Sequence, residues 1–311
     1  MLSRINSLLK KIIYPKRDVR AFVVTRLSPE EIKEKVFIKY NDQRINISER
    51  HGMICLEPFS LAIWLSPAEL EMFDPVEITV MITKNDKTRA KLDLTLIEKT
   101  TEDNIVLLLY RVAEVKCFQG NPFYRFITLA WALKNRTSNY RERKFIAAFY
   151  TYPRKVIAVS YKEENYCNLF PMDIQGHVVE SNLYLLGLRT TNITLNKILD
   201  TKKLLISDTS AADIKTIYSL GRHYSATPPK LEELPFSTSE SKLLKFPVPD
   251  FAASYKELEI IRNVKIGYHM LLVAKIVNAE QVKRDTRSLY HIHFFEFNGS
   301  GYAGIANEGY S

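Results

Sequence analysis

Short runs in which polar and apolar residues alternate fill much of the first 118 positions. AFVVTRL (21–27), KVFIKY (35–40), SLAIWLS (60–66), VEITVMIT (76–83), AKLDLTLIE (90–98) and NIVLLLYRVAEVKCF (104–118) are rich in Val, Ile and Tyr. Such residues fit a pleated, half-buried surface. In VEITV and KLDLTLI the apolar side chains recur at every second position, which puts them on one face of a strand. The pattern predicts strand after strand from Val19 to about Cys117, in an antiparallel sheet or a small barrel closed on itself.

Two stretches change the period. Over 121–140, Phe126, Leu129, Ala130 and Leu133 fall on a helical stripe. At the start, Leu2, Ile5, Leu8, Leu9, Ile12 and Ile13 share a stripe over Met1 to Arg17, and Pro15 stops it. A helix docked on the protein itself is a simpler reading of this segment than one resting on an acidic membrane surface. The basic run RERK (141–144) and Pro153 then mark a junction near residue 150. The expected organisation is a β-rich unit over 1–150 and a second unit over 151–311.

In the second unit, KVIAVSYK is a strand, NYCNLFPMD a loop, SNLYLLGL (181–188) a buried strand and KLLISD (203–208) another. Thr194 is placed to cap a short helix bearing Leu195, Ile198 and Leu199. Thr209 or Ser210 can cap a second helix, with Asp213 in its first turn and Gly221 at its end. After a polar loop with Pro228, Pro229 and Pro235 come the strands KLLKF, ELEIIRNVKIG, YHMLLVAKIVNAE and LYHIHFFEFNG.

The chain has 311 residues, 46% hydrophobic and 25% charged, enough to build an ordinary core. A net charge of +9 suits phosphorylated ligands. The basic residues are dispersed and accompany no nucleic-acid module, so nucleic acid is not an expected partner. Cys55, Cys117 and Cys167 are widely spaced; they suggest neither a disulfide framework nor a zinc site, and a reducing cytoplasm is the expected compartment. No apolar run reaches the roughly 18 residues of a spanning helix.

The strand end at Arg189, followed by Thr190, Thr191, Asn192 and Thr194 at a helix start, offers a phosphate cradle. A guanidinium can grip two oxygens, the hydroxyls can donate, and the helix dipole favours an anion. An ordinary strand-to-helix turn capped by Thr194 is the alternative, and the sequence leaves both open. His291 and His293 alternate on one strand; no third ligand is evident, so no metal is expected.

The order of elements over about 155–302 resembles the flavin reductase-like family of FMN-binding split barrels. Three stretches carry the resemblance: the loop from Asn168 through Leu169, Phe170, Pro171 and Met172 to Asp173; the segment Leu185 to Thr194; and the closing strands from Leu258 through Ile266-Gly267-Tyr268-His269 to LYHIHFFEFNGSGY. The resemblance implies a mainly β protein, with a C-terminal FMN-binding split β-barrel bearing short helices. It implies FMN held by Asn168, Leu169, Phe170 or Met172 at the ring and by Arg189, Thr190, Thr191, Asn192 and Thr194 at the phosphate. It further implies His269 near the flavin as the catalytic position, a nicotinamide such as NAD(P)H as electron donor, and a homodimer. Two departures weigh against reductase activity more than against the fold. Tyr268 stands where the family often has an acid, and no Pro pair precedes SNLYLLGL. The expected function is an FMN-dependent oxidoreductase; a non-enzymatic binding or partner-recognition barrel is the alternative.

Overall fold

Most of the expected strands form, joined by further strands at 43–46, 51–56 and 175–178, and most connections between neighbours are short. The computed structural model describes residues 22–41, 43–102, 104–118, 126, 140–224, 227–228, 230–284, 287–298 and 300–304. The helix expected over Met1 to Arg17 and nearly all of the one over 121–140 lie outside this set.

After β1 (Phe22–Leu27), the first sheet takes β2 (Glu34–Tyr40), β3 (Gln43–Asn46), β4 (His51–Leu56), β5 (Phe59–Leu65), β6 (Glu77–Lys84), β7 (Lys87–Glu102) and β8 (Ile105–Cys117). Its seven strands run β3-β2-β6-β7-β8-β5-β4. Val36, Ile38, Val80, Leu92, Leu94 and Leu108 fill its core, the inward set of the alternation read from the sequence. Between β5 and β6 lies α1 (Pro67–Leu70), where Ser66 accepts from Glu69 N and the Glu69 carboxylate accepts from Ser66 N, a capping box. Helix α2 (Tyr140–Phe149) buries Phe145, Ala148 and Phe149 in the same core.

The second half begins with β9 (Arg154–Lys155), β10 (Ile157–Glu163), β11 (Tyr166–Met172), β12 (Gln175–Val178) and β13 (Leu183–Arg189). It continues through α3 (Leu195–Thr201), β14 (Lys203–Ser207), α4 (Ile214–Leu220), β15 (Thr238–Glu240), β16 (Pro247–Pro249), β17 (Ser254–Ile266), β18 (His269–Gln281), β19 (Ser288–His293) and α5 (Phe294–Asn298). Seven of these strands make the second sheet, β11-β10-β14-β17-β18-β13-β12, and β15 pairs with β16. The protein is thus mainly β with short helices.

Several expectations change in this half. The loop expected from Asn168 to Asp173 is the edge strand β11, paired to β10 with Asn168 opposite Tyr161; Pro171 is tolerated because an edge strand can spare a donor. KLLKF is not a strand. There the Glu257 carboxylate accepts from Leu243 N, Leu244 N and Ser241 Oγ, so a buried acid satisfies the amides that a ladder would otherwise hold. The last strand stops at His293 and turns into α5. Helix α4 is capped by Asp213, which accepts from Thr216 N, because Thr209 and Ser210 spend their hydroxyls on Val156 O and Asp208. Strand β1 leaves the first half altogether and pairs with β19, which also pairs with β9.

The two sheets meet through a third core. Ile54, Ala62, Trp64, Leu107 and Leu109 from the first pack on Val178, Leu185, Leu271 and Val273 from the second. Gly52 and Gly176 touch at the centre: a Cβ on Gly52 would lie 2.8 Å from Gln175 O and 3.0 Å from Gly176 Cα. Arg262 of β17 is ion-paired with Glu98 of β7, and its Nη1 donates to Thr100 Oγ1 at 2.6 Å.

Candidate functional site

A cavity of about 310 Å³ opens between the halves, within the usual range for small-molecule sites. Strands β9, β12, β14 and β17 bring Arg154, Lys155, His177, Ser207 and Lys256 to its wall, and the first half contributes His51 and Trp64. Tyr184 and Tyr290 add aromatic surface. Tyr184 stacks on His177, with ring centroids 5.5 Å apart.

The wall carries three cations, Arg154, Lys155 and Lys256, and three acids, Glu49, Asp173 and Asp208. Arg154 is buried, and its guanidinium donates to Phe149 O at 3.0 Å and to His51 Nε2 at 3.0 Å. Both acceptors are uncharged, since burial and the Arg154 charge push the His51 pKa down to about 3. Burial lowers the pKa of Arg154 itself to about 10, so it stays a cation at neutral pH. Burial lowers the pKa of Lys155 and Lys256 too, with Asp208 acting against it. The Asp208 carboxylate is already engaged, accepting from Ser210, Ala253 N and Ser254 Oγ. Burial and the two lysines hold His177 near a pKa of about 4.

Two polar atoms on this wall have no hydrogen-bond partner although both are buried: Trp64 Nε1 and Ser207 Oγ. An unsatisfied buried polar atom costs about 1–3 kcal/mol.

A second cavity of about 170 Å³ lies beside α4, lined by Met172, Pro171, Ile217, Leu289 and the polar trio Asp173, Tyr218 and His291. Tyr218 OH meets His291 Nε2 at 3.0 Å, His291 Nδ1 meets Asp173 Oδ2 at 2.6 Å, and Tyr150 OH donates to the same oxygen at 2.8 Å. Burial alone would raise the Asp173 pKa, but the bonds from His291 and Tyr150 and the Arg154 charge outweigh it and hold the carboxyl below its ordinary range. Asp173 lines both cavities.

The residues assigned to the flavin from sequence divide into two groups, and among them only Met172 lines either cavity. In the first group, the buried Asn168 donates through Nδ2 to Thr194 Oγ1 at 2.7 Å and to His223 O at 2.9 Å. Tyr166 OH also meets Thr194 Oγ1, at 2.8 Å, and Leu169 O accepts from His223 Nδ1 at 3.0 Å. Thr194 therefore stands at the start of α3 without capping it; Asn192 Oδ1 accepts the Thr194 amide instead. Phe170 packs in the core of the second half. In the second group, Arg189 is exposed and sits opposite His269 in the β13–β18 ladder. Thr190 bonds to Tyr268 O, and Thr191 is exposed.

His269 is buried between the halves, its Nδ1 3.3 Å from Cys55 Sγ and its Nε2 without a partner. Burial and the nearby Arg189 lower its pKa to about 4. Sequence reasoning missed Arg154, Lys155, Lys256, His177 and Trp64. Lys155 opens the strand KVIAVSYK and Arg154 follows the junction at Pro153, and only the pairing of the two halves brings Trp64 to them. Among the described residues no helix is long and apolar enough to cross a membrane, and no cluster of His, Cys, Asp or Glu could hold a metal.

No family model matches the sequence, and no curated protein matches it at a significant level. Solved structures similar to the chain are flavin reductases and FMN-binding proteins, each covering about half of it. BorF, the flavin reductase component of a bacterial two-component tryptophan halogenase, is 15% identical, with a TM-score of 0.44, over 53% of this chain and 99% of its own. An FMN-binding protein from Thermus thermophilus is 16% identical, with a TM-score of 0.40, over 51% and 90%. The NADH:FAD oxidoreductase SgcE6 of Streptomyces globisporus is 14% identical, with a TM-score of 0.42, over 55% and 96%.

Proposed function

We propose that this chain binds a flavin nucleotide, FMN, in the cavity between its two halves and serves as an oxidoreductase. The observation that carries the reading is the cluster of Arg154, Lys155 and Lys256 on one cavity wall beside the rings of Trp64, Tyr184 and Tyr290. A ligand suited to that wall is anionic at one part and flat, aromatic and rich in acceptors at another. FMN has both parts. Lys155, Lys256 and Arg154 would hold the phosphate, while Trp64, Tyr184 and Tyr290 would flank the ring and exclude water. Bound flavin supplies hydride or electron transfer, with a nicotinamide as the donor class that the sequence resemblance implies.

In this reading His269 is a positioning residue at the junction with Cys55, since it lies outside the cavity wall. The turn from Arg189 to Thr194 remains the competing phosphate site. Purified protein that carries a flavin absorption spectrum, or that gains one on adding FMN, supports the reading; no FMN binding at micromolar concentration overturns it. A cavity that binds FMN while no nicotinamide reduces it favours the non-enzymatic alternative.

A further inference from the structure

The two large sheets share one strand order. In chain order the first uses the hairpins β2–β3 and β4–β5, then β6, then the long hairpin β7–β8. The second uses β10–β11 and β12–β13, then β14, then β17–β18. Replacing each strand by its counterpart turns the order β3-β2-β6-β7-β8-β5-β4 into β11-β10-β14-β17-β18-β13-β12.

The match extends to single residues. The first long hairpin shifts register between Asp93 and Leu94 and again between Leu96 and Glu98. The second shifts between Glu257 and Leu258 and again between Ile260 and Arg262. Bulges re-aim strands at chosen places, and here both fall at the same spacing in both hairpins. Aligning them puts Glu98 on Arg262, Leu107 on Leu271 and Leu109 on Val273. Following the ladders outward puts Ala62 on Leu185 and Gly52 on Gly176.

Equivalent residues then touch each other. Gly52 meets Gly176, Glu98 is paired with Arg262, and Ala62, Leu107 and Leu109 share one core with Leu185, Leu271 and Val273. Contact between a residue and its own equivalent is the signature of a two-fold axis.

The same register exposes an asymmetry. Lys256 corresponds to Leu92, Ser207 to Met81 and His177 to Met53. All three counterparts are buried apolar residues. Where the second half has a charged wall, the first half has a filled core.

We infer that the chain is a fused pseudo-dimer. Each half occupies the face by which the other would pair with a second copy, so the protein is a monomer with one anion site rather than a homodimer with two. The identity of the anion rests on the flavin reading above; the pairing does not.

Light scattering of the full chain should give 36.0 kDa, unchanged on dilution; a species of twice that mass overturns the inference. The substitution Arg262→Glu should lower the melting temperature, and adding Glu98→Arg should restore most of the loss, because the pair merely trades places across the axis. A double variant no more stable than the single overturns the axis. Titration with FMN should saturate at one per chain, and two per chain overturns the single site. Failure to bind FMN counts against the flavin reading alone, with mass and charge exchange still deciding the pairing.

Discussion

Nη1 of Arg154 donates to Nε2 of His51 across 3.0 Å, tying the second half of the chain to the first. A guanidinium can only donate, so His51 must carry its own proton on Nδ1, where Ile47 O accepts it at 2.8 Å. The imidazole is thereby fixed as a neutral acceptor. The cation stays charged on the cavity wall, where Asp173 is the carboxylate that acts on it.

Stability should fall on mild acidification. His51 is held near a pKa of about 3 and His177 and His269 near about 4, against an ordinary value of 6.5. Between these values the unfolded chain binds protons that the folded chain refuses, so stability rises with pH across that window. Urea midpoints should therefore drop as the pH falls from 6.5 toward 4, and His177→Phe should flatten the slope. A pH-independent midpoint over that range would refute the buried, neutral assignment.

Lys155→Ala and Lys256→Ala should each weaken FMN binding by about 1.5–3 kcal/mol, the worth of a charge-assisted bond, or roughly ten- to a hundredfold. Riboflavin, which lacks the phosphate, should bind wild type and variants alike. Arg189→Ala should leave both affinities unchanged. The reverse outcome, with Arg189→Ala alone discriminating against FMN, would move the phosphate to the turn at 189–194.

Gly52→Ala should destabilise the protein by about 1–3 kcal/mol, the usual cost of overpacking a filled site, because the new methyl would meet the backbone at Gln175 and Gly176 rather than a movable side chain. Thermal denaturation reads this directly. A stability equal to wild type would show that the halves can part at this point without cost.

Asp173→Asn keeps the shape of the side chain but removes the charge that both His291 and Tyr150 address. A loss of about 1–3 kcal/mol is expected from the weakened buried bonds, measured by urea denaturation at neutral pH. An unchanged midpoint would mean that the trio of Asp173, His291 and Tyr150 contributes nothing to folding.

Much of the strand order was legible because alternation is a local signal. VEITVMIT and AKLDLTLIE declare their buried faces without help from the rest of the chain, and β6 and β7 form there. KLLKF misled because what competes with its ladder is one carboxylate, Glu257, eleven positions beyond its end. The site was less legible still. Lys155 reads as the start of a strand, Lys256 falls just before ELEIIRNVKIG, and Trp64 lies in the apolar run SLAIWLS; only the packing of one sheet on the other sets them around a common space. The turn at Arg189 to Thr194 looked chemically rich, yet Thr190, Asn192 and Thr194 already spend their polar groups on Tyr268, on each other, and on Tyr166 and Asn168.

The pairing of β1 with β19 joins Phe22 to His293 and Leu27 to Ser288. During synthesis the earlier strand leaves the ribosome long before its partner exists. At about 5–20 residues per second, β1 waits roughly 13–50 s with its edges bare and Val24 uncovered. Over that interval the ladder that β19 supplies to β1 does not yet exist, and β1 is an unpaired edge.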